Sequence, residues 1–583
     1  MCRFVTMDCM SLYSLRPIPD IDANQLAPYS ALTKRLLLAR NITTEQEAEI
    51  FLHPNWERDI HDPFLMKDMQ KVVDRIMTAI AKKETIVLWS DYDMDGIPGA
   101  VLLNDFFRRI GYDYVIHHTP HRNRDGFGLN AEGIDELIEK KAGLIVTIDC
   151  GIADVEHVAY AQKNGIDVIV TDHHLVGMEI PKACAILNPK QDGCSYPEKM
   201  LCGAGVAFKL VQALIIHLRA HAEESMETIP VGWEKWQLDM AGMATIADMV
   251  HLSGENRTLA YFGLMVLRKS RRVGLQALLK KARTNQKYLI EDDVAFTIAP
   301  RINAASRMGH AKDAFALLSS TDLREAGALA ETLDAINTER KTVVATMKRE
   351  VHRKLKKIEN LKSVIVLGNP EWKPSLLGLV AGSLAEEYKR PVFLWGRESG
   401  TTIKGSCRSD GSCSIFALME KAHESFLEYG GHTIAGGFSL EEEQVHTLEE
   451  KLSQAYALVS QKDASLDTYY DEELTLDQVN WDTYREVSSF GPFGEGNPKP
   501  LFFFRAVSIR TVKTFGKGNE HLEFKFKREH GGDITAISFF TEADSFGCSF
   551  HSETPVSFVA HLEASYFKGP PLLRLKLVDI FHS

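Results

Sequence analysis

Between residues 84 and 172, short β-branched runs alternate with amphipathic helical stretches, and this rhythm restricts the fold more than any other feature of the chain. TIVLWS (85–90) reads as a buried strand and GAVLLNDFFRRI (99–110) as a helix. The pair then repeats: YDYVIHHT with AEGIDELIEKK, GLIVTID (143–149) with ADVEHVAYAQKNG, and finally the strand IDVIVTD (166–172). Such a pattern predicts an α/β class fold with a doubly wound, mostly parallel sheet. Ligands of such sheets sit beyond the carboxyl ends of the strands. The unusual polar residues of this stretch fall there.

The rest of the chain changes character twice. After about residue 205 the pattern turns helical, and 324–358 predicts one long connecting helix. A second α/β unit runs from VIVLG (364–368) to about 460. From about 470 the tail is rich in Phe, Val and Thr, with turns at FGKGNE (515–520) and EHGGD (529–533). Several short strands at regular spacing predict a small β-barrel of the OB-fold kind. The expected division is an N-terminal segment (1–60), a catalytic domain (61–310), a connecting long helix (311–360), a second domain (361–465) and the barrel (466–583).

Composition narrows the function classes. The formal net charge is −12, from 67 Lys and Arg against 79 Asp and Glu, which on its face opposes a nucleic-acid partner. A carboxylate-built metal site adds negative charge that cations offset, so the objection is weak. Basic runs at 268–272, 280–283 and 348–357 read singly as solvated helix faces. Nine cysteines with no CxxC spacing suit reduced thiols. No apolar run suggests a membrane span, and MCRFVTMDCMSLYSLRP lacks the apolar core of a signal peptide. A cytoplasmic location and no membrane contact are expected.

The candidate chemistry lies at strand ends. DYDMDG (91–96) follows one strand and precedes a helix. Its spacing resembles the start of an EF-hand loop. The twelfth position is Leu102 rather than Glu, and Pro98 sits within the loop, so that reading fails. Asp149 ends a second strand, TDHH (171–174) ends a third, and Asp248 interrupts the apolar segment MATIADMV. Singly, each has a plain structural explanation, such as a helix cap or surface decoration. Together they converge on one rim. Carboxylates with one or two imidazoles suit two divalent cations, manganese ahead of magnesium, better than zinc. Metal-assisted phosphoester hydrolysis is the reaction class expected.

DYDMDG, TIDCGI and TDHH resemble successive motifs of the DHH phosphoesterase superfamily. PHRNRDGFGL (120–129), LNPKQDGCSYPEKMLCGAGVAFKL (187–210), APRINAASRMG (299–309), KGSCRSDG (404–411), YGGHTIAGGF (429–438) and FGPFGEGNPKP (490–500) resemble its RecJ branch. The resemblance spans about 85–500, in order. It implies DHH and DHHA1 domains ahead of the OB-fold. By it, Asp93 and Asp95 bind one ion each with Asp91 nearby, Asp149 bridges both, and His173 and Asp248 complete the coordination of the second ion. His174 then faces the reacting phosphate, and Asp172 orients a histidine through its ring N–H. Arg122, Arg307, Ser406, Arg408 and His432 become phosphate contacts. Three positions depart from the branch's pattern: Ser306, Lys373 and Ser375.

The activity implied is a 5′→3′ exonuclease that takes single-stranded DNA to mononucleotides in repair and recombination. Its partners would be the strand itself, a helicase and a single-strand-binding protein, with the enzyme a monomer. One rival is a phosphodiesterase of short oligonucleotides or cyclic dinucleotides, which would not need the barrel. Another is a catalytically silent scaffold, which would lack metal ligands. In the tail, Phe502, Phe503, Phe504, Phe524 and Phe526 are divided by this reading between barrel core and base stacking. Lys513, Lys517 and Lys525 are the candidate DNA contacts.

Overall fold

The computed structural model describes residues 13–20, 25–122, 124–221, 229–397, 402–459, 468–516, 518–519, 521–541, 555–566 and 570–582. The alternating segment forms five parallel strands: β1 (Thr85–Ser90), β2 (Val115–His118), β3 (Ala142–Ile148), β4 (Asp167–Thr171) and β5 (Ala185–Leu187). Their order is 2-1-3-4-5. The chain reverses direction across the sheet between β1 and β3, and a crevice opens at the carboxyl ends of those two strands. β5, only three residues long, carries too little pattern to be read from the sequence.

Alternation along the strands divides the core. Ile86, Leu88, Leu144, Val146 and Ile148 face one layer, with α1 (Met69–Lys82), α2 (Gly96–Arg109), α5 (Gly203–Ala220) and α6 (Leu238–Ala247). Val87, Trp89, Ile145, Val168 and Val170 face the other, with α3 (Ala131–Glu139) and α4 (Val155–Lys163). Helices therefore cover both faces, as the doubly wound class requires. α5 is 18 residues long and apolar enough to cross a membrane, yet 67% of it is buried inside the protein. It is the helix at the centre of the larger layer, apolar all round because it is surrounded.

The helix α7 (Ala299–Arg307) packs on the 33-residue α8 (Leu323–Leu355), which leads to the second domain. There β6 (Ile365–Gly368), β7 (Val392–Arg397), β8 (Ile403–Arg408), β9 (Glu428–Gly431) and β10 (Ala435–Leu440) form a mixed sheet of order 9-10-8-7-6. Helix α9 (Pro374–Tyr388) lies against β7 and β8.

The barrel has five strands: β11 (Phe502–Phe515), β12 (His521–Lys527), β13 (Asp533–Phe539), β14 (Pro555–Ser565) and β15 (Leu572–His582). Pairing of β11 with both β12 and β14 closes it. The N-terminal segment belongs to this body, because Leu36, Leu37, Ala48 and Leu52 share one core with Phe502, Phe524 and Phe558. Arg257 ties the barrel side to the catalytic side by donating to the carbonyls of Phe51 and Gly491.

Candidate metal centre

The loop after β1 turns back on itself, and Gly96 permits this: a Cβ there would stand 2.5 Å from the carbonyl oxygen of Asp91. Asp91 and Asp95 are thereby buried on either side of Asp93. Asp149, one residue past β3, sits at φ +61 in the left-handed region that Asp tolerates better than most L-residues. His173 and His174 follow β4, and Asp248 caps the carboxyl end of α6.

These side chains meet. Ligand atoms of Asp91, Asp93 and Asp149 lie within 4.8 Å of one another, as do those of Asp95, His173 and Asp248. Asp149 also groups with His173 and His174, so it faces both halves of the site. His173 Nε2 stands 3.2 Å from Asp149, 3.7 Å from Asp95 and 3.8 Å from Asp248. The His174 Nδ1–Asp172 Oδ1 separation is 2.7 Å. Asp172 also accepts the backbone N–H groups of Ile152, His173 and His174.

Electrostatics without cations are unfavourable. Burial, then repulsion from neighbouring carboxylates, pushes Asp91, Asp149 and Asp248 well above the ordinary carboxylate range. Burial lifts Asp95 to about 6, against two helix-terminal N–H donors. His173 is pushed down to about 3 by burial and by His174, so it stays a neutral ligand. Burial also opposes a charge on His174, but the Asp172 carboxylate outweighs it and raises that imidazole.

Beside this centre lies a cluster of cations. Arg122 stacks over the Tyr92 ring at 4.8 Å. Burial, then the neighbouring Arg122, holds Arg307 down at about 9, with Arg408 of the second domain also contributing. Arg408 Nη1 donates to Ser406 Oγ at 3.1 Å. Gly378 leaves room for both; a Cβ there would be 2.7 Å from Arg408 and 3.0 Å from Ser406. Ser375 accepts from Arg307 through its carbonyl (2.6 Å) and donates to the Arg307 carbonyl through Oγ (2.9 Å). The departure at 375 thus latches α9 of one domain to the end of α7 in the other. Ser306 is buried and donates to the carbonyl of Asn303, and α7 continues through it to Arg307.

Residues 85–236 match the DHH family, N-terminal domain, 361–458 the DHHA1 domain and 470–579 the RecJ OB domain. The chain is 32% identical to the single-stranded-DNA-specific exonuclease RecJ of Haemophilus influenzae, over 94% of this chain and 95% of that one. The chain belongs to the RecJ family. The Bacillus subtilis RecJ is 33% identical over 85% of this chain, which spans 62% of that longer protein. The crystal structure of Thermus thermophilus RecJ in complex with Mn2+ superposes with a TM-score of 0.77 at 28% identity, covering 95% of this chain and 76% of that one. The same protein has also been solved with Mg2+, with a TM-score of 0.71 at 27% identity. As a member of this family, the chain is a metal-dependent hydrolase with a DHH–DHHA1–OB architecture.

Its site fits divalent cations on an observation of its own. Asp91 Oδ1 and Asp149 Oδ1 are buried and make no hydrogen bond among the described residues, which is costly unless a cation completes them. The donors are carboxylates and imidazole, the set that manganese and magnesium take.

Several functional groups escaped the sequence reading. The N–H groups of Gly203 and Ala204, at the start of α5, hold Asp95 at 2.5 and 2.7 Å. A Cβ at Gly203 would stand 2.5 Å from Asp149 Cβ. Lys190 donates to the His173 carbonyl, Asn188 to that of His174, and the Phe127 ring meets His174 edge-on at 5.5 Å. His432 lies exposed on the β9–β10 hairpin, its backbone N–H bonded to the carbonyl of Ala435. Arg272, from the first basic run, is largely covered rather than solvated and pairs with Asp105 and Asp239.

The phenylalanine expectation is corrected. Phe502, Phe503, Phe504, Phe524 and Phe526 are all buried, at 0–3% exposure. Four fill the barrel, and Phe503, on the opposite face, is covered by Tyr13 and Tyr470. None is available to stack a base. Lys513 is exposed, Lys525 half-buried, and Lys517 lies outside the described residues.

Proposed function

We propose that this chain is a 5′→3′ exonuclease that hydrolyses single-stranded DNA to mononucleotides, in DNA repair and recombination. The observation that carries this reading is the approach of Arg122 and Arg307 to the carboxylate centre, with Arg408 of the second domain beside those two arginines. Two anion-handling sites side by side suit two phosphates: one at the bond to be cut, one held by guanidinium groups. If the second is a terminal phosphate, cleavage is confined to a chain end.

Asp91, Asp93, Asp95, Asp149, His173 and Asp248 would hold two cations. Bound manganese or magnesium supplies Lewis acidity toward the phosphate and activates water as nucleophile. The protein's own work is orientation. Asp172 fixes the His174 ring through Nδ1–H, which leaves Nε2 to face the phosphate. Arg307 and Arg408, with Ser406 Oγ, seat the 5′ end. Lys513 and Lys525 on the barrel follow the strand beyond the site. The partners proposed are single-stranded DNA, a helicase and a single-strand-binding protein, with the enzyme a cytoplasmic monomer.

The test compares strands with and without a 5′-phosphate. Wild type cuts the phosphorylated strand faster, and Arg408→Ala narrows that ratio at least about tenfold, the value of one charge-assisted contact. An unchanged ratio removes Arg408 from the phosphate site.

A further inference from the structure

Helix α8 carries one side-chain stripe from domain to domain. At spacings of three and four it reads Ala326, Ala330, Leu333, Asn337, Arg340, Val344, Met347, Val351, Leu355. Ala326, Ala330 and Leu333 pack in the catalytic core; Met347, Val351 and Leu355 pack in the core of the second domain, with Val344 against it. Asn337 and Arg340 are the two polar members, and they fall where the helix has left one core and not yet joined the other. That stretch spans the interval between the two cores. Arg340 is among the cations whose charge reaches Arg307.

Arg340 lacks what arginines nearby possess. Arg301, on α7, is neutralised by Asp334 at 2.9 Å and donates to the carbonyl of Thr297. Arg340 Nε is buried and has no hydrogen-bond partner, and no carboxylate lies within ion-pair distance of Arg340 among the described residues. Asn337 is 1% exposed with an unpaired amide oxygen. A half-buried guanidinium, desolvated and facing another arginine, costs stability with no internal return.

We propose that Arg340 is a further phosphate-binding point on α8 between the two domain cores, distinct from Arg307 and Arg408, taking one more phosphate of the nucleic-acid chain or of the nucleotide released from it. The exonuclease reading supplies the carrier of the phosphate; the anion site itself stands on the unpaired guanidinium.

Arg340→Met continues the apolar stripe and removes the charge. In full-length protein without divalent metal, inorganic phosphate should raise the Tm of wild type more than that of Arg340→Met. The variant without phosphate should melt no lower than wild type, since it loses a buried unpaired cation. Arg340→Lys, which keeps the charge, should recover part of the phosphate response. The carrier is read separately. A roughly tenfold weaker Kd for single-stranded DNA, with product inhibition by a nucleoside 5′-monophosphate unchanged, assigns a chain phosphate. A comparable weakening of product inhibition assigns the released nucleotide. Equal phosphate responses in wild type and Arg340→Met overturn the proposal, and so does a lower Tm for Arg340→Met rescued by Arg340→Lys with no change in phosphate response. Neither result depends on turnover, so failure of the exonuclease reading would show elsewhere.

Discussion

Asp149 combines a strained backbone with a carboxylate that faces both halves of the site. Its φ of +61 is better tolerated by Asp and Asn than by most other residues, and its buried, unpaired oxygen is costly unless a cation completes it. Asn shares the backbone tolerance but not the charge, so Asp149→Asn isolates the electrostatic role. Manganese-dependent cleavage should fall at least ~10³-fold while circular dichroism and Tm stay close to wild type. A folded Asp149→Asn protein with near-normal rates would remove the metal-centre account. The ligand candidates were legible in the sequence because an Asp or His at the end of an apolar strand has few reasons to be there. The donors that hold Asp95 were not, since Gly203 and Ala204 act through backbone N–H groups that any residue possesses. The phenylalanines were misjudged for another reason. Alternation tells which residues share a face, but it cannot tell that a distant segment such as Tyr13 covers the outer one.

Among the elements, α5 does two jobs that the sequence shows only as an apolar run beginning with small residues. Its body fills the larger core layer, and its amino end points two N–H groups and the positive end of a helix dipole at Asp95. The small residues at its start are needed because Asp149 passes so close. Gly203→Ala sets a methyl 2.5 Å from Asp149 Cβ and 2.8 Å from its Oδ1. It should weaken manganese binding ~10–100-fold, the usual cost of disturbing the groups that orient ligands, with a smaller effect on Tm. Titration calorimetry checks this; unchanged affinity would mean that the loop shifts freely and that Gly203 does not set the geometry. The long α8 was legible because 324–358 holds one glycine and no proline, and propensity summed over that length is decisive. Its functional stripe was not, since polar residues in a buried stripe acquire meaning only once the ends of the two cores are known.

On the scale of the whole molecule, the barrel and the N-terminal segment form one body, joined to the catalytic domain through Arg257. Removing the tail would strip Leu36, Leu37 and Leu52 of their core, so truncation cannot separate binding from folding here. Charge reversal on the surface can. Lys513→Glu with Lys525→Glu should weaken binding of long single strands and lower the salt dependence of Kd by about one charge per lysine, while very short oligonucleotides turn over as before. Equal losses on short and long substrates would make the barrel a brace rather than a track for the strand. The architecture in outline was legible because each of its parts has its own sequence period. The return of the N-terminus to the barrel was not, because it rests on contacts between residues more than 400 positions apart. The central claim is that cations held by six side chains cut a strand whose 5′ end is seated by arginines from both domains. Single strands labelled at either the 5′ or the 3′ end, incubated with manganese, test it most directly. The account predicts that the 5′ label leaves first, as a mononucleotide, while the 3′ label stays on a shortening strand. Release of the 3′ label first, or internal cuts that leave both labels on oligonucleotides, would contradict it.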